Sequence, residues 1–184
     1  KMMKVNMMTQ APSKQSGLTL IEISVGLAIF GALIALAVGL GSVLLGNTEI
    51  QSEQSRLEIV KDNVLSLYEG RPDFAGLDQA TMIDANVFPT VMISGGTALN
   101  TWTNEVLITP EADTNANPDR AFQVVWPTPE EDCTDMATGV TSASQVSIGG
   151  TVVSGTGADQ SVDPAAAAAN CTGTTTADIQ FLFE

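Results

Sequence analysis

Histidine is absent from this 184-residue chain, and basic residues of any kind number only seven against 21 acidic ones. There is also no CxxC pair and no phosphate-binding Gly-Lys motif, so the usual equipment of metal, general-base and nucleotide chemistry is missing. No cofactor is expected, and an enzyme is the least supported class. The shortage of cations argues against nucleic acid as a partner, because backbone phosphates would be repelled rather than neutralised. Cysteine is scarce as well, limited to Cys133 and Cys171 in the C-terminal third.

The few charges are unevenly placed. Lys1, Lys4 and Lys14 precede Gly17, and every acidic residue follows it. A chain cut after Gly17 would keep Arg56, Lys61, Arg71 and Arg120 against 21 carboxylates, a net charge of −17. Such an excess suits the solubility of an exported protein. For an exported chain a disulfide between the two cysteines is the default. Closing that loop would stabilise the fold by about 4 kcal/mol in the chain-entropy treatment. Two buried free thiols are the alternative.

Export itself is read from the N-terminal third. Leu18 to Leu45 is an apolar run broken by one carboxylate, Glu22, and Ile23 to Leu45 holds 23 uncharged residues. As a helix that stretch spans roughly 35 Å, enough to cross a bilayer. Lys14 before it and Glu49 after it orient the bulk of the chain away from the cytoplasm. A carboxylate at that depth needs a partner. Cleavage after Gly17 creates one, because the new α-amino group on Leu18 lies one helical turn from Glu22 on the same face. The competing account is an ordinary signal peptide cut at Ala35-Leu36-Ala37, leaving Val38 first; Glu22 fits poorly in its hydrophobic region.

Within the run, Gly31, Ala35 and Gly39 recur every four residues, with Ala28 and Ala32 beside them. Small residues at that spacing let helix backbones approach closely, although a stem lying in lipid can share the composition. Gly39, Gly41 and Gly46 each cost a helix up to about 1 kcal/mol relative to alanine, which marks a place to bend or unwind. Beyond the run, Ile50, Leu57, Val60, Val64 and Leu67 continue as an amphipathic stripe, with Glu53, Glu58 and Asp62 on other faces. Gly70-Arg71-Pro72 ends the pattern. One helix from about Thr19 to Glu69 follows. The chain then divides into a leader at 1–17, an apolar stem at 18–46, an amphipathic half-helix at 47–70 and a head at 71–184.

Gly17-Leu18-Thr19-Leu20-Ile21-Glu22 resembles the prepilin-peptidase site of type IV pilins. With the acidic head, the cysteine pair, Phe122-Gln123-Val124-Val125-Trp126-Pro127 and a terminal Ile179-Gln180-Phe181-Leu182-Phe183, the resemblance is to the type IVb branch, as in toxin-coregulated and thin conjugative pili. It implies an α+β fold with the stem helix packed on a small antiparallel sheet. It also implies cleavage between Gly17 and Leu18 by prepilin peptidase and N-methylation of Leu18. Passage from the inner membrane into a surface homopolymer would follow, driven by an inner-membrane assembly machine in a Gram-negative cell. Leu18 and Glu22 would then set the register of subunit addition, Glu22 meeting the N-terminus of a neighbour. Pairing with its own N-terminus, or placement at the cytoplasmic interface, are the alternatives for Glu22. Leu18 stands where phenylalanine is commoner and Gly39 where many pilins have proline. The chain opens on Lys1 rather than methionine, which leaves the leader's length open.

Local patterns sketch the head. Leu77 to Ile83 suits a short helix with Asp78 near its start. Phe88 to Val91 and Gly95-Gly96 read as loop, Glu105 to Thr109 as a strand ended by Pro110, and Gln123 to Trp126 as a second strand. Thr128-Pro129-Glu130-Glu131 has the form of a helix start capped by threonine, with Cys133 on that helix. Gly149-Gly150 between Val146–Ile148 and Thr151–Val153 is a hairpin signal. Asp163-Pro164 caps an alanine run reaching Cys171, and Ile179 to Phe183 is a last strand. The disulfide-bounded region, 133–171, is expected to pack against the sheet edge. Trp102 and Trp126 read as core or strand-edge residues rather than a ligand platform, and the Asn170-Cys171-Thr172 sequon as chance.

A minor pilin or a type II secretion pseudopilin shares these features. A membrane-tethered periplasmic binding domain that never polymerises is a further reading, from a different class.

Overall fold

A computed structural model describes residues 48–155, 161–173 and 175–184, together with Val25. Residues Leu45–Glu184 form one compact unit. It begins with helix α1, helical over 48–67. Ile50, Leu57, Val60, Val64 and Tyr68 are buried along one face. Two departures from the expected stripe have one cause, the 3.6-residue period. It carries the buried face from Val64 to Tyr68, leaving Leu67 45% exposed, and it places Glu53 between Ile50 and Leu57 at 0% exposure. The helix ends in a turn where Gly70 adopts φ +82°, a conformation glycine takes without penalty.

A short helix, α2 (Gln79–Asp84), follows, capped as expected by Asp78. The Asp78 carboxylate accepts from the Thr81 backbone N–H at 2.9 Å and from the Thr81 hydroxyl at 2.6 Å. Next come a 3-10 turn, Thr90–Met92, and a two-stranded hairpin of β1 (Ile93–Ser94) and β2 (Thr97–Ala98). Gly95-Gly96, read as loop from sequence, is its two-residue turn with both φ values positive. Ile93-Ser94 and Thr97-Ala98 carry too little apolar alternation to announce a hairpin around that glycine pair.

The main sheet holds β3 (Leu107–Glu111), β4 (Ala121–Pro129), β5 (Gln145–Ile148), β6 (Thr151–Val152) and β7 (Thr176–Phe183), in the order β3-β4-β7-β5-β6. All neighbours are antiparallel. The last strand therefore lies at the centre, with Trp126 opposite Ile179 and Val146 opposite Phe181. Along β4, Phe122, Val124, Trp126 and Thr128 are all buried, the period of two expected for one covered face. Aromatic rings link the end of α1 to this face, Tyr68 to Phe74 at 5.3 Å, Phe74 to Phe122 at 5.0 Å and Phe122 to Phe183 at 5.3 Å between centroids.

Pro110 does not end β3 but lies inside it, paired with Phe122. The Ile108 N–H points away from β4, donating to Gln79 Oε1 at 3.1 Å. Pro110, two residues on, shares that outward direction, so its missing N–H removes no ladder bond. Gln79 also donates to the Val106 carbonyl at 2.8 Å, and its amide covers the sheet edge as an extra strand would.

Helix α3 (Glu130–Gly139) starts later than the sequence suggests. Thr128 and Pro129 pair with Ala177 and Thr176, which holds them in β4. The Thr128 hydroxyl donates to the Trp126 carbonyl at 3.1 Å rather than capping the helix. Gly149-Gly150 forms the expected turn between β5 and β6, with φ +56° and +82°. Helix α4 (Pro164–Cys171) is capped by Asp163, which accepts from the Ala165 N–H at 2.9 Å. Asp163→Ala should cost about 1 kcal/mol, a loss of a few degrees in thermal unfolding; an unchanged midpoint would mean the cap adds nothing.

Two surface carboxylates give the head a pH dependence. Asp78 is held below the usual carboxylate range by its hydrogen bond from the Thr81 hydroxyl and then by the Thr81 N–H. Asp113, in the turn before β4, is lowered by the Asn117 side chain and then its backbone N–H. Groups whose pKa falls on folding add stability that is present above the unfolded value, near 3.8, and lost as pH drops through the folded one. Acid unfolding of Asp78→Asn/Asp113→Asn should therefore be shallower below pH about 4 than that of the parent chain, and parallel curves would count against this.

Candidate functional site

Gly17, Leu18, Glu22, Ala28, Gly31, Ala32, Ala35 and Gly39 lie outside the described residues. Among the described residues no helix is long and apolar enough to cross a membrane, and no group of three or more His, Cys, Asp or Glu is placed to hold a metal. The acidic run Glu130, Glu131 and Asp132 occupies the first turn of α3. Burial, followed by the charges of Glu131, Glu49 and Asp135, pushes the Asp132 carboxyl above its usual range.

Cys133 on α3 and Cys171 at the end of α4 are joined, with 5.8 Å between Cα atoms. Both are buried. The segment they enclose contributes β5 and β6, so it forms one edge of the sheet instead of packing against it. Cys171 is also the middle residue of the sequon, and the Asn170 side chain bonds back to the Ala166 carbonyl at 2.8 Å. Trp126 is fully buried and Trp102 packs against the core.

The sequence did not single out the polar cluster where the helix meets the sheet. Glu53 is buried on α1, with its Oε1 2.6 Å from Arg56 Nη1 and 2.5 Å from the Thr101 hydroxyl, and its Oε2 3.2 Å from the Trp126 indole nitrogen. Arg56 Nη1 also reaches Thr101 Oγ1 at 2.6 Å. The turn carrying Thr101 is itself tied down, since Asn100 Nδ2 donates to the Pro127 carbonyl at 2.6 Å and Asn100 Oδ1 accepts from Asn104 N at 2.9 Å. The signal was present as the seven-residue step from Ile50 to Leu57, which leaves one position of the buried face to a carboxylate.

Polar contacts also hold α1 against α3 and the α2 region. Gln54 Nε2 donates to the Asp135 carbonyl at 3.0 Å, the Ser142 hydroxyl to Glu58 Oε1 at 2.5 Å and Asn63 Nδ2 to the Val87 carbonyl at 2.8 Å. Gly139 permits the approach to α3, since a Cβ there would lie 1.9 Å from Gln54 Nε2.

The model of the PilS N-terminal family matches residues 47–183, the helix and sheet just described. The chain belongs to the PilS family of type IVb pilins. A prokaryotic N-terminal methylation motif matches residues 12–38, a span that includes Gly17, Leu18 and Glu22. The motif implies a membrane-anchored precursor processed by prepilin peptidase. Pilins are structural subunits, and this one is not an enzyme. Two solved structures share the fold. The type IVb pilin from Salmonella typhi has a TM-score of 0.56 at 20% identity, over 73% of this chain and 97% of that one. TcpA, a type IV pilin from Vibrio cholerae El Tor, has a TM-score of 0.56 at 13% identity, over 74% of this chain and 99% of that one. No curated protein matches the pilin by sequence.

Proposed function

We propose that this pilin is the structural subunit of a type IVb surface filament on a Gram-negative bacterium. It is cut between Gly17 and Leu18, methylated on the Leu18 amine and drawn from the inner membrane into a helical homopolymer by an assembly machine. One observation carries the reading: the methylation motif, with Glu22 alone in its apolar run, stands directly before a helix and sheet of the pilin fold.

The physics of assembly follows from that arrangement. A buried unpaired carboxylate costs several kcal/mol, so Glu22 favours a position where it meets the cationic N-terminus of a neighbour. Burial of the apolar stems, with Ala28, Gly31, Ala32, Ala35 and Gly39 allowing close approach, supplies most of the adhesion. The acidic, disulfide-tied heads remain outside, where such a fibre serves adhesion, aggregation or mating contact.

The test is the N-terminal peptide of protein sheared from the cell surface. A major subunit should dominate that fraction and begin at N-methyl-Leu18. Trace abundance would indicate a minor pilin or pseudopilin. A chain beginning at Val38, or one retaining its leader, would end the filament reading.

A further inference from the structure

We propose that Glu53 is a positioning residue for assembly, fixing how far along its own axis α1 sits on the head sheet. The proposal rests on the filament reading above. The buried face of α1 runs Ile50, Glu53, Leu57, Val60, Val64, Tyr68. Apart from Glu53, all but the last are branched aliphatics at steps of three and four. Sliding the helix by one turn, about 5.4 Å, would set one branched aliphatic where another had been. Hydrophobic swaps of that kind are the best tolerated in a core, so the apolar residues alone discriminate weakly between the two positions. Tyr68, which meets the Phe74 ring, and the more exposed contacts of Gln54, Glu58 and Asn63 also mark the position, but none of them buries a charge.

Glu53 cannot be exchanged in this way. Its carboxylate is met by donors from three parts of the fold: Arg56 on α1, Thr101 on the turn and Trp126 on β4. The turn is in turn fastened to β4 through Asn100 and the Pro127 carbonyl. One turn of slippage would carry the carboxylate to the place of Ile50 or Leu57, away from the indole and the threonine. A buried polar group that selects one register among apolar near-equivalents is the best-attested use of such groups. In a filament, stem and head contacts must be satisfied together. An offset of one turn between them would exceed what close-packed interfaces absorb.

The test uses full-length pilin in the producing cell. Glu53→Leu with Trp126→Phe removes the carboxylate and the indole donor together, leaving no buried polar group stranded. Thiol pairs joined by a short bis-maleimide report the position of α1. Gln54→Cys with Asp135→Cys reads the observed register, since these residues touch. Gln51→Cys or Glu58→Cys with Asp135→Cys reads a slip of one turn to either side. With Glu53 and Trp126 intact, the 54–135 pair should dominate. In the double variant a displaced pair should rise to comparable yield and sheared filaments should fall by about tenfold or more, while the head keeps its protease resistance.

Cross-linking at 54–135 alone, with an undiminished filament yield, would overturn the proposal. Should the double variant be degraded, Glu53→Gln carries the same two readouts. Its amide nitrogen cannot accept a hydrogen bond, and an unchanged cross-link pattern with full filament yield there is equally fatal. Glu22→Ala subunits separate this idea from the filament reading. They should lose filaments while keeping the 54–135 pair. If the unaltered pilin formed no filaments, the filament reading would fail while the cross-links still decided the register.

Discussion

Glu22→Ala pilin should be exported and trimmed like the parent chain yet yield no sheared filaments. Removing one partner of a desolvated charge pair leaves the other uncompensated, at a cost of about 3–5 kcal/mol. In the proposed filament the stranded group would be the Leu18 amine, and the cost would recur at every subunit added. About two to four powers of ten in the addition equilibrium would be lost, which moves the polymer below any practical concentration of subunit. Immunoblots of whole cells should show processed pilin at normal amounts, and electron microscopy should show bare surfaces. Normal filament yield from this variant would remove the register role of Glu22 and leave stem burial as the whole of assembly. Glu22→Gln separates charge from shape, and it should also fail, because an amide cannot neutralise the amine.

The second large effect is at the disulfide. Cys133→Ser with Cys171→Ser releases a loop spanning a sequence separation of 38 residues. The chain-entropy treatment assigns such a loop about 4 kcal/mol, and loss of a native bridge from a small exported domain typically costs 2–5 kcal/mol. The consequence is regional as well as global, because the enclosed segment supplies β5 and β6. Without the bridge, α3 and α4 lose their covalent link, and the two-residue β6 is left to its pairing with β5 and to the backbone bonds of Val153 with Val146 and Asp163. The melting temperature of detergent-solubilised pilin should drop by roughly 10–20 °C. Protease should cut first between residues 140 and 165. Equal resistance of the serine variant and the parent would show that packing alone carries this edge.

Local chemistry made much of the head legible in advance. Gly149-Gly150, the Asp163-Pro164 cap, Asp78 before α2 and the strand through Trp126 are each decided within a few residues, and each lies in the structure as the sequence suggests. The α+β class followed from the same signals. The features that escaped depend on partners distant in sequence. Pro110 looks like a strand terminator until the Gln79 amide shows that its nitrogen faces outward. Thr128 has the form of a cap, but β7 claims it as strand. Glu53 reads as surface charge because its three donors are only brought together by the fold. Likewise, nothing in the run Ile179 to Phe183 announces that the C-terminal strand occupies the sheet centre, with β4 and β5 on either side. Glu22, like Glu53, is a carboxylate that interrupts an apolar pattern in the sequence, and in the proposed filament its compensating charge comes from a second copy of the chain.

The contact between neighbouring copies is therefore the decisive quantity. High-resolution cryo-electron microscopy of sheared filaments would measure the separation between the methylated Leu18 amine of one subunit and the Glu22 carboxylate of the next. The proposed register requires hydrogen-bond distance, about 3 Å, repeated at every subunit interface. A filament in which Glu22 closes onto its own amine, or faces no cation at all, would contradict it.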